Sequence, residues 1–84
     1  MGSDHGNPLM LVFDCISLGK HEIQTYDGYK LKTVMKTLSK RINTPISNIA
    51  SVNYNYSPLN NNSTISELGL RSGAVLQVKF KDNF

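Results

Sequence analysis

The chain has no tryptophan and one cysteine among its 84 residues. A lone thiol closes no internal disulfide, so a disulfide-stapled scaffold is excluded. Cys15 sits inside an apolar run of strand length, where a buried, inert thiol is the ordinary state. Histidine is scarce too, with two residues. His5 and His21 have no Cys, His or carboxylate at the spacing of a metal site or a catalytic triad, and no glycine-rich phosphate loop is present. The sequence therefore nominates no catalytic, cofactor-binding or metal-ligating residue, and it reads as a non-enzyme without a cofactor. No apolar run approaches the roughly 18 residues that span a bilayer. Residues 1–8 have neither the basic start nor the apolar core of a secretory signal. The expectation is a cytoplasmic protein that does not insert into membranes. With 39% hydrophobic and 18% charged residues the chain should fold. A chain of this length buries only about 60% of its unfolded surface, which limits it to one domain with a small core.

Acid is missing from one long stretch. Between Gly28 and Ser66 stand Lys30, Lys32, Lys36, Lys40 and Arg41 with no Asp or Glu, although the whole chain carries only +3. Within that stretch Leu31, Val34, Met35, Leu38 and Ile42 recur at i, i+3, i+4, i+7 spacing, which predicts an amphipathic helix over residues 31–42. At about 100° per residue the five apolar residues share an arc of about 100°, and Lys32, Lys36 and Lys40 stand opposite as a stripe. Pro45 should stop the helix, because it lacks an amide and pushes Thr44 out of the α region. Asp27 is the best N-cap by residue type.

Ahead of the helix, residues 1–8 are polar, rich in turn formers and without periodicity, so they read as a flexible leader to a domain spanning 9–84. Residues 9–16 form a nearly continuous apolar run and predict a central strand with Leu11, Phe13 and Cys15 on its buried face. Gly19 and Lys20 then suit a hairpin turn, and Ile23 lies in the returning strand, 21–26. His21 and Glu22, adjacent in that strand, face opposite sides, which favours an ordinary strand histidine over a pH-sensitive pair.

After the helix, Val52, Tyr54 and Tyr56 give residues 49–56 strand character, and Ser57-Pro58 closes it at an edge or terminal position. The tyrosines read first as sheet packing and only second as interaction anchors. An Asn-rich turn leads to Thr64-Ile65-Ser66-Glu67, a capping-box pattern that predicts one short helical turn. Gly69 tolerates positive φ at its end, and Leu76, Val78 and Phe80 alternate with Gln77 and Lys79 as a half-buried strand. The fold class is α+β. Its order is β-β-α-β-β, with a short loop or strand around Leu59 and a short helical turn before the last strand. Such an order closes as a β-grasp, a mixed sheet crossed by the helix, with the first and last strands parallel neighbours at its centre. Leu11, Phe13, Ile23, Leu31, Val34, Leu38, Ile42, Val52, Leu59, Ile65, Leu70, Leu76 and Val78 make up the expected core.

The spacing of Leu59, Thr64-Ile65, Leu70, Leu76 and Val78 resembles the C-terminal half of ubiquitin-like domains. The resemblance runs back without a gap to Lys30 and, with one shifted residue, to Leu11. Conjugated members of that family end in Gly-Gly, whereas this sequence ends Lys81-Asp82-Asn83-Phe84, so the resemblance implies a non-conjugated member. The hydrophobic patch by which ubiquitin is recognised would fall on Leu18, Asn53, Gln77 and Lys79, three of them polar. Among non-conjugated members, the small ubiquitin-like proteins of bacterial type VII secretion loci are similar in lacking the diglycine, and they act by non-covalent binding.

The leading reading is a non-catalytic ubiquitin-like interaction module that binds another protein, one with an acidic surface, through Lys32, Lys36, Lys40 and Arg41. An accessory role in a larger assembly such as a type VII secretion system would fit it. A solvated helix face is the plainer account of the same lysines. Two other functions stand as alternatives. One is a covalent modifier or sulfur carrier whose Gly-Gly lies beyond Phe84. The other is a small nucleic-acid-binding domain, which ranks last because no aromatic residues interleave with the lysines.

Overall fold

The computed structural model describes residues 6–81. Most of residues 1–8, the expected leader, and the end of the chain at 82–84 lie outside the described residues. The elements are β1 (Pro8–Asp14), β2 (Lys20–Tyr26), α1 (Leu31–Arg41), β3 (Ile49–Tyr54), β4 (Ser57–Pro58) and β5 (Ala74–Phe80). Single 3-10 turns at Ile16–Leu18 and Ile46–Asn48 link β1 to β2 and α1 to β3. The strands form one mixed sheet in the order β2-β1-β5-β3-β4. At its centre β1 and β5 run parallel, with Phe13 opposite Leu76, while the remaining pairs are antiparallel. This is the expected α+β order.

Alternation along the strands assigns the two faces. Leu11 and Phe13 of β1, Ile23 of β2, Val52 of β3 and Leu76 and Val78 of β5 turn inward and are buried. They meet Leu31, Val34, Met35 and Leu38 on the apolar arc of α1. Ile65 and Leu70 close the core from the segment before β5, and Cys15 is fully buried within it. Against the expected core, Ile42 and Leu59 are only half-buried and pack on its rim, while Met35 and Ile49 join it fully. The burial of Ile49 has a local cause. A register shift between Ile49 and Ser51 inserts Ala50 as a bulge, so Ile49 and Val52, three residues apart, reach the same face.

Helix α1 covers the expected residues to within one position, but its ends are capped differently from the sequence expectation. Its N-cap is Lys30, in an extended conformation and without a side-chain cap. The orphan amides of the first turn are met by main-chain carbonyls of the Asn-rich loop: Leu31 N–H donates to Ser63 O and Lys32 N–H to Asn61 O, both at 3.0 Å. Asp27 is not the cap. Its Oδ1 accepts the Asn7 amide at 2.9 Å, tying down the start of β1, and β1 accordingly starts at Pro8, one residue ahead of the expected boundary. At the other end α1 stops at Arg41, well before Pro45. Asn43 adopts φ 57°, Thr44 N–H reaches back to Ser39 O at 3.0 Å, and Asn43 N–H to Lys40 O at 3.3 Å. These two bonds make a Schellman motif, for which asparagine is the usual substitute for glycine.

The capping box forms reciprocally, with Thr64 N–H donating to Glu67 Oε1 at 2.8 Å and Glu67 N–H to Thr64 Oγ1 at 3.0 Å. One helical turn follows, closed by Leu68 N–H on Thr64 O, and Gly69 leaves it at φ 72°. Two boundaries needed tertiary structure. β1 ends at Asp14 rather than Ile16, which is 72% exposed at φ 56°. The strand expected over 49–56 ends at Tyr54. Asn55 and Tyr56, both at positive φ, make a two-residue hairpin turn that returns the chain as β4, with Tyr54 opposite Ser57.

Candidate interaction surfaces

Lys32, Lys36 and Lys40 are exposed on the side of α1 away from the sheet, and the helix contains no acidic residue. Steps of about 100° per residue put neighbours in the stripe about 40° apart, so the three ammonium groups form a ridge winding slowly along the helix. Arg41 does not belong to that ridge. The same arithmetic puts it about 20° from Val34, at the border of the apolar arc. Its guanidinium crosses to the sheet, where one Nη1–H donates to the Glu22 carbonyl of β2 at 2.7 Å. A helical projection of the sequence contained that signal.

On the far side of the sheet, the positions corresponding to ubiquitin's patch are not an apolar surface. Asn53, opposite Gln77, is only 8% exposed, and its amide donates to Ser51 Oγ at 3.0 Å. Gln77 and Lys79 are exposed, and Gln77 is flanked on its other side by Asp14. Leu18 is exposed in the 3-10 turn. His21 holds that turn, its Nε2 lying 2.8 Å from the Leu18 carbonyl. One register step away, the outer face is apolar: Val12 of β1 pairs with Val75 of β5, and Val75 is 44% exposed. Alternation around Leu76 already put Val75 outward; the register that brings it beside Val12 could not be read from sequence. Tyr56 stands 90% exposed at the tip of the β3–β4 hairpin, so packing is not its role, contrary to the expectation for the tyrosines.

An open depression of about 470 Å³ at the start of β1 is lined by Pro8, Leu9, Met10, Gln24, Thr25, Tyr26 and Ser72. It contains no carboxylate, imidazole, thiol or amine. Among the described residues no group of three His, Cys, Asp or Glu side chains could hold a metal ion. Burial pushes the Cys15 thiol above its ordinary pKa, and the neighbouring Asp14 charge adds to the shift, so the thiol is held in its unreactive form. No helix among the described residues is long and apolar enough to cross a membrane.

No protein-family model matches the chain, and no curated protein matches it. Among solved structures it is similar to a de novo design based on ubiquitin, with a TM-score of 0.80 at 17% identity, covering 93% of this chain and 94% of that one. At that identity the likeness speaks for the fold. The mixed five-stranded sheet with one crossing helix is a ubiquitin-like β-grasp.

Proposed function

We propose that this ubiquitin-like domain is a non-catalytic interaction module, binding an acidic surface of another protein non-covalently through the lysine ridge of α1. The observation that carries the reading is the single-signed ridge of Lys32, Lys36 and Lys40 on a helix with no acidic residue. A lysine stripe without Glu partners forgoes a few tenths of a kcal/mol per i,i+4 pair, and an acidic partner is what would reward that arrangement. The exposed ammonium groups act mainly by steering encounter rather than by adding affinity. An accessory role in a larger assembly, such as a type VII secretion system, extends this reading and rests on the sequence resemblance. The genes beside this one would test that extension.

A second reading has its own observation, the outward pair Val12 and Val75, which gives the sheet face more apolar area than Asn53, Gln77 and Lys79 do. Binding kinetics with the partner that the wild-type chain captures separate the two. Lys36→Glu should slow association by roughly 2- to 10-fold at low salt and flatten its salt dependence, while Val75→Lys and Gln77→Ala change little. Loss of binding in Val75→Lys with Lys36→Glu unaffected would move the site to the sheet. Steeply salt-dependent binding to oligonucleotides, with no protein captured, would favour the nucleic-acid alternative.

A further inference from the structure

The sheet has two open edges. β4 is two residues long and contains Pro58, which has no amide to offer, so that edge is a poor template for another strand. β2 is seven residues long, pairs among the described residues only with β1, and contains no proline or glycine. In an antiparallel ladder the N–H and C=O of alternate residues point to the partner strand and those between point away. At the two ends of the β1–β2 ladder Cys15 N–H donates to Gly19 O and Asp27 N–H to Asn7 O. By alternation the main-chain groups of His21, Ile23 and Thr25 therefore face β1 while those of Glu22 and Gln24 point outward, and the Glu22 carbonyl accepts from Arg41. The Tyr26 carbonyl is already taken by the Tyr29 amide at 3.1 Å. Glu22 and Gln24 therefore provide the middle of the open edge.

That edge is self-complementary. In a two-fold antiparallel arrangement centred on Ile23, Glu22 lies opposite Gln24 of the second copy and the two can exchange both main-chain hydrogen bonds. Lys20 then faces Tyr26 of the second copy and His21 faces Thr25, so no like charges oppose each other across the pair. Ile23 and Thr25 stay buried in their own cores. At the centre of this pairing, the acceptor that is required and already engaged is the Glu22 carbonyl.

We propose that Arg41 is an edge guard: by occupying the Glu22 carbonyl it keeps β2 from pairing with β2 of a second copy and holds the protein monomeric. Its guanidinium suits the task, being planar, permanently charged and long enough to lie across the edge from the last turn of α1. Sedimentation equilibrium over a concentration series tests the proposal on the full chain. Wild type should stay at 9.4 kDa, whereas Arg41→Ala should rise toward twice that mass, with the Glu22 and Gln24 amides shifted in NMR spectra and slowed in exchange. Adding Gln24→Pro to Arg41→Ala should restore the monomer, because proline there removes an outward donor and leaves the β1 ladder intact. An Arg41→Ala protein that stays monomeric overturns the proposal, as does wild type already paired through β2 or association that Gln24→Pro fails to reverse. If Arg41→Ala does not fold, wild type still decides the matter. The Arg41 guanidinium protons should exchange more slowly than those of exposed Arg71, and equal rates would remove the guard.

Discussion

Ile16 adopts the left-handed region, where a β-branched side chain crowds its own backbone at a cost of about 1–2 kcal/mol. Its amide donates to Asp14 Oδ1 at 3.2 Å, and Cys15 N–H donates to Gly19 O at 2.9 Å. The turn is thus imposed by its surroundings rather than by Ile16 itself. With the side chain 72% exposed, little packing is lost on replacing it. Ile16→Asn should therefore raise stability by about 1 kcal/mol, since asparagine tolerates this conformation, and the midpoint of urea unfolding should move upward with an unchanged slope. Tyr56 is also at positive φ, where glycine is the habitual hairpin residue. Neither residue declares its conformation by type. Asn43 and Gly69, by contrast, sit where their types lead one to look for them.

Among the elements, α1 shows how the core and the candidate surface divide one helix. Leu38 is fully buried under the sheet, whereas Lys36, two residues away, is exposed on the opposite side. Leu38→Ala should cost about 2–5 kcal/mol, the lost transfer energy plus a cavity that close packing cannot fully close. Lys36→Ala should stay within about 0.5 kcal/mol. Equal losses in chemical denaturation would mean that the faces of the helix are reversed. The helix also depends on a distant loop, because Asn61 and Ser63 supply the carbonyls its first turn needs. Periodicity revealed where the helix runs. It carried no trace of that main-chain cap, which joins residues far apart in sequence and engages no side chain.

Across the whole molecule, the parallel pairing of β1 with β5 lays the first strand beside the last, and Cys15, one residue past β1, is fully buried in the core. A reagent should reach this thiol only when the domain opens, so labelling in native buffer should keep pace with global unfolding. The same burial makes stability depend on pH. Cys15 ionises less readily folded than unfolded, and in the interval between the two pKa values the unfolded state holds fewer protons. Stability from this group is therefore fully present below the unfolded thiol's pKa, about 8.5, and declines as pH rises from there toward the folded value. Cys15→Ala should lessen that alkaline decline in denaturation curves measured between neutral pH and about pH 10.

By itself the sequence determined the order of elements, the inward residues of β1, β2 and β5, the apolar arc of α1 and the capping box at Thr64, because each depends on residues within a few positions of one another. The lysine ridge was legible for the same reason, since a helix repeats within two turns. Tertiary structure decided what depends on distant partners: the bulge that buries Ile49, the loop carbonyls that cap α1, the pairing that sets Val12 beside Val75, and the Glu22 carbonyl that Arg41 reaches. Register and main-chain hydrogen bonding between remote segments are settled only when the strands pair, and side-chain type does not encode which carbonyl will be left facing outward.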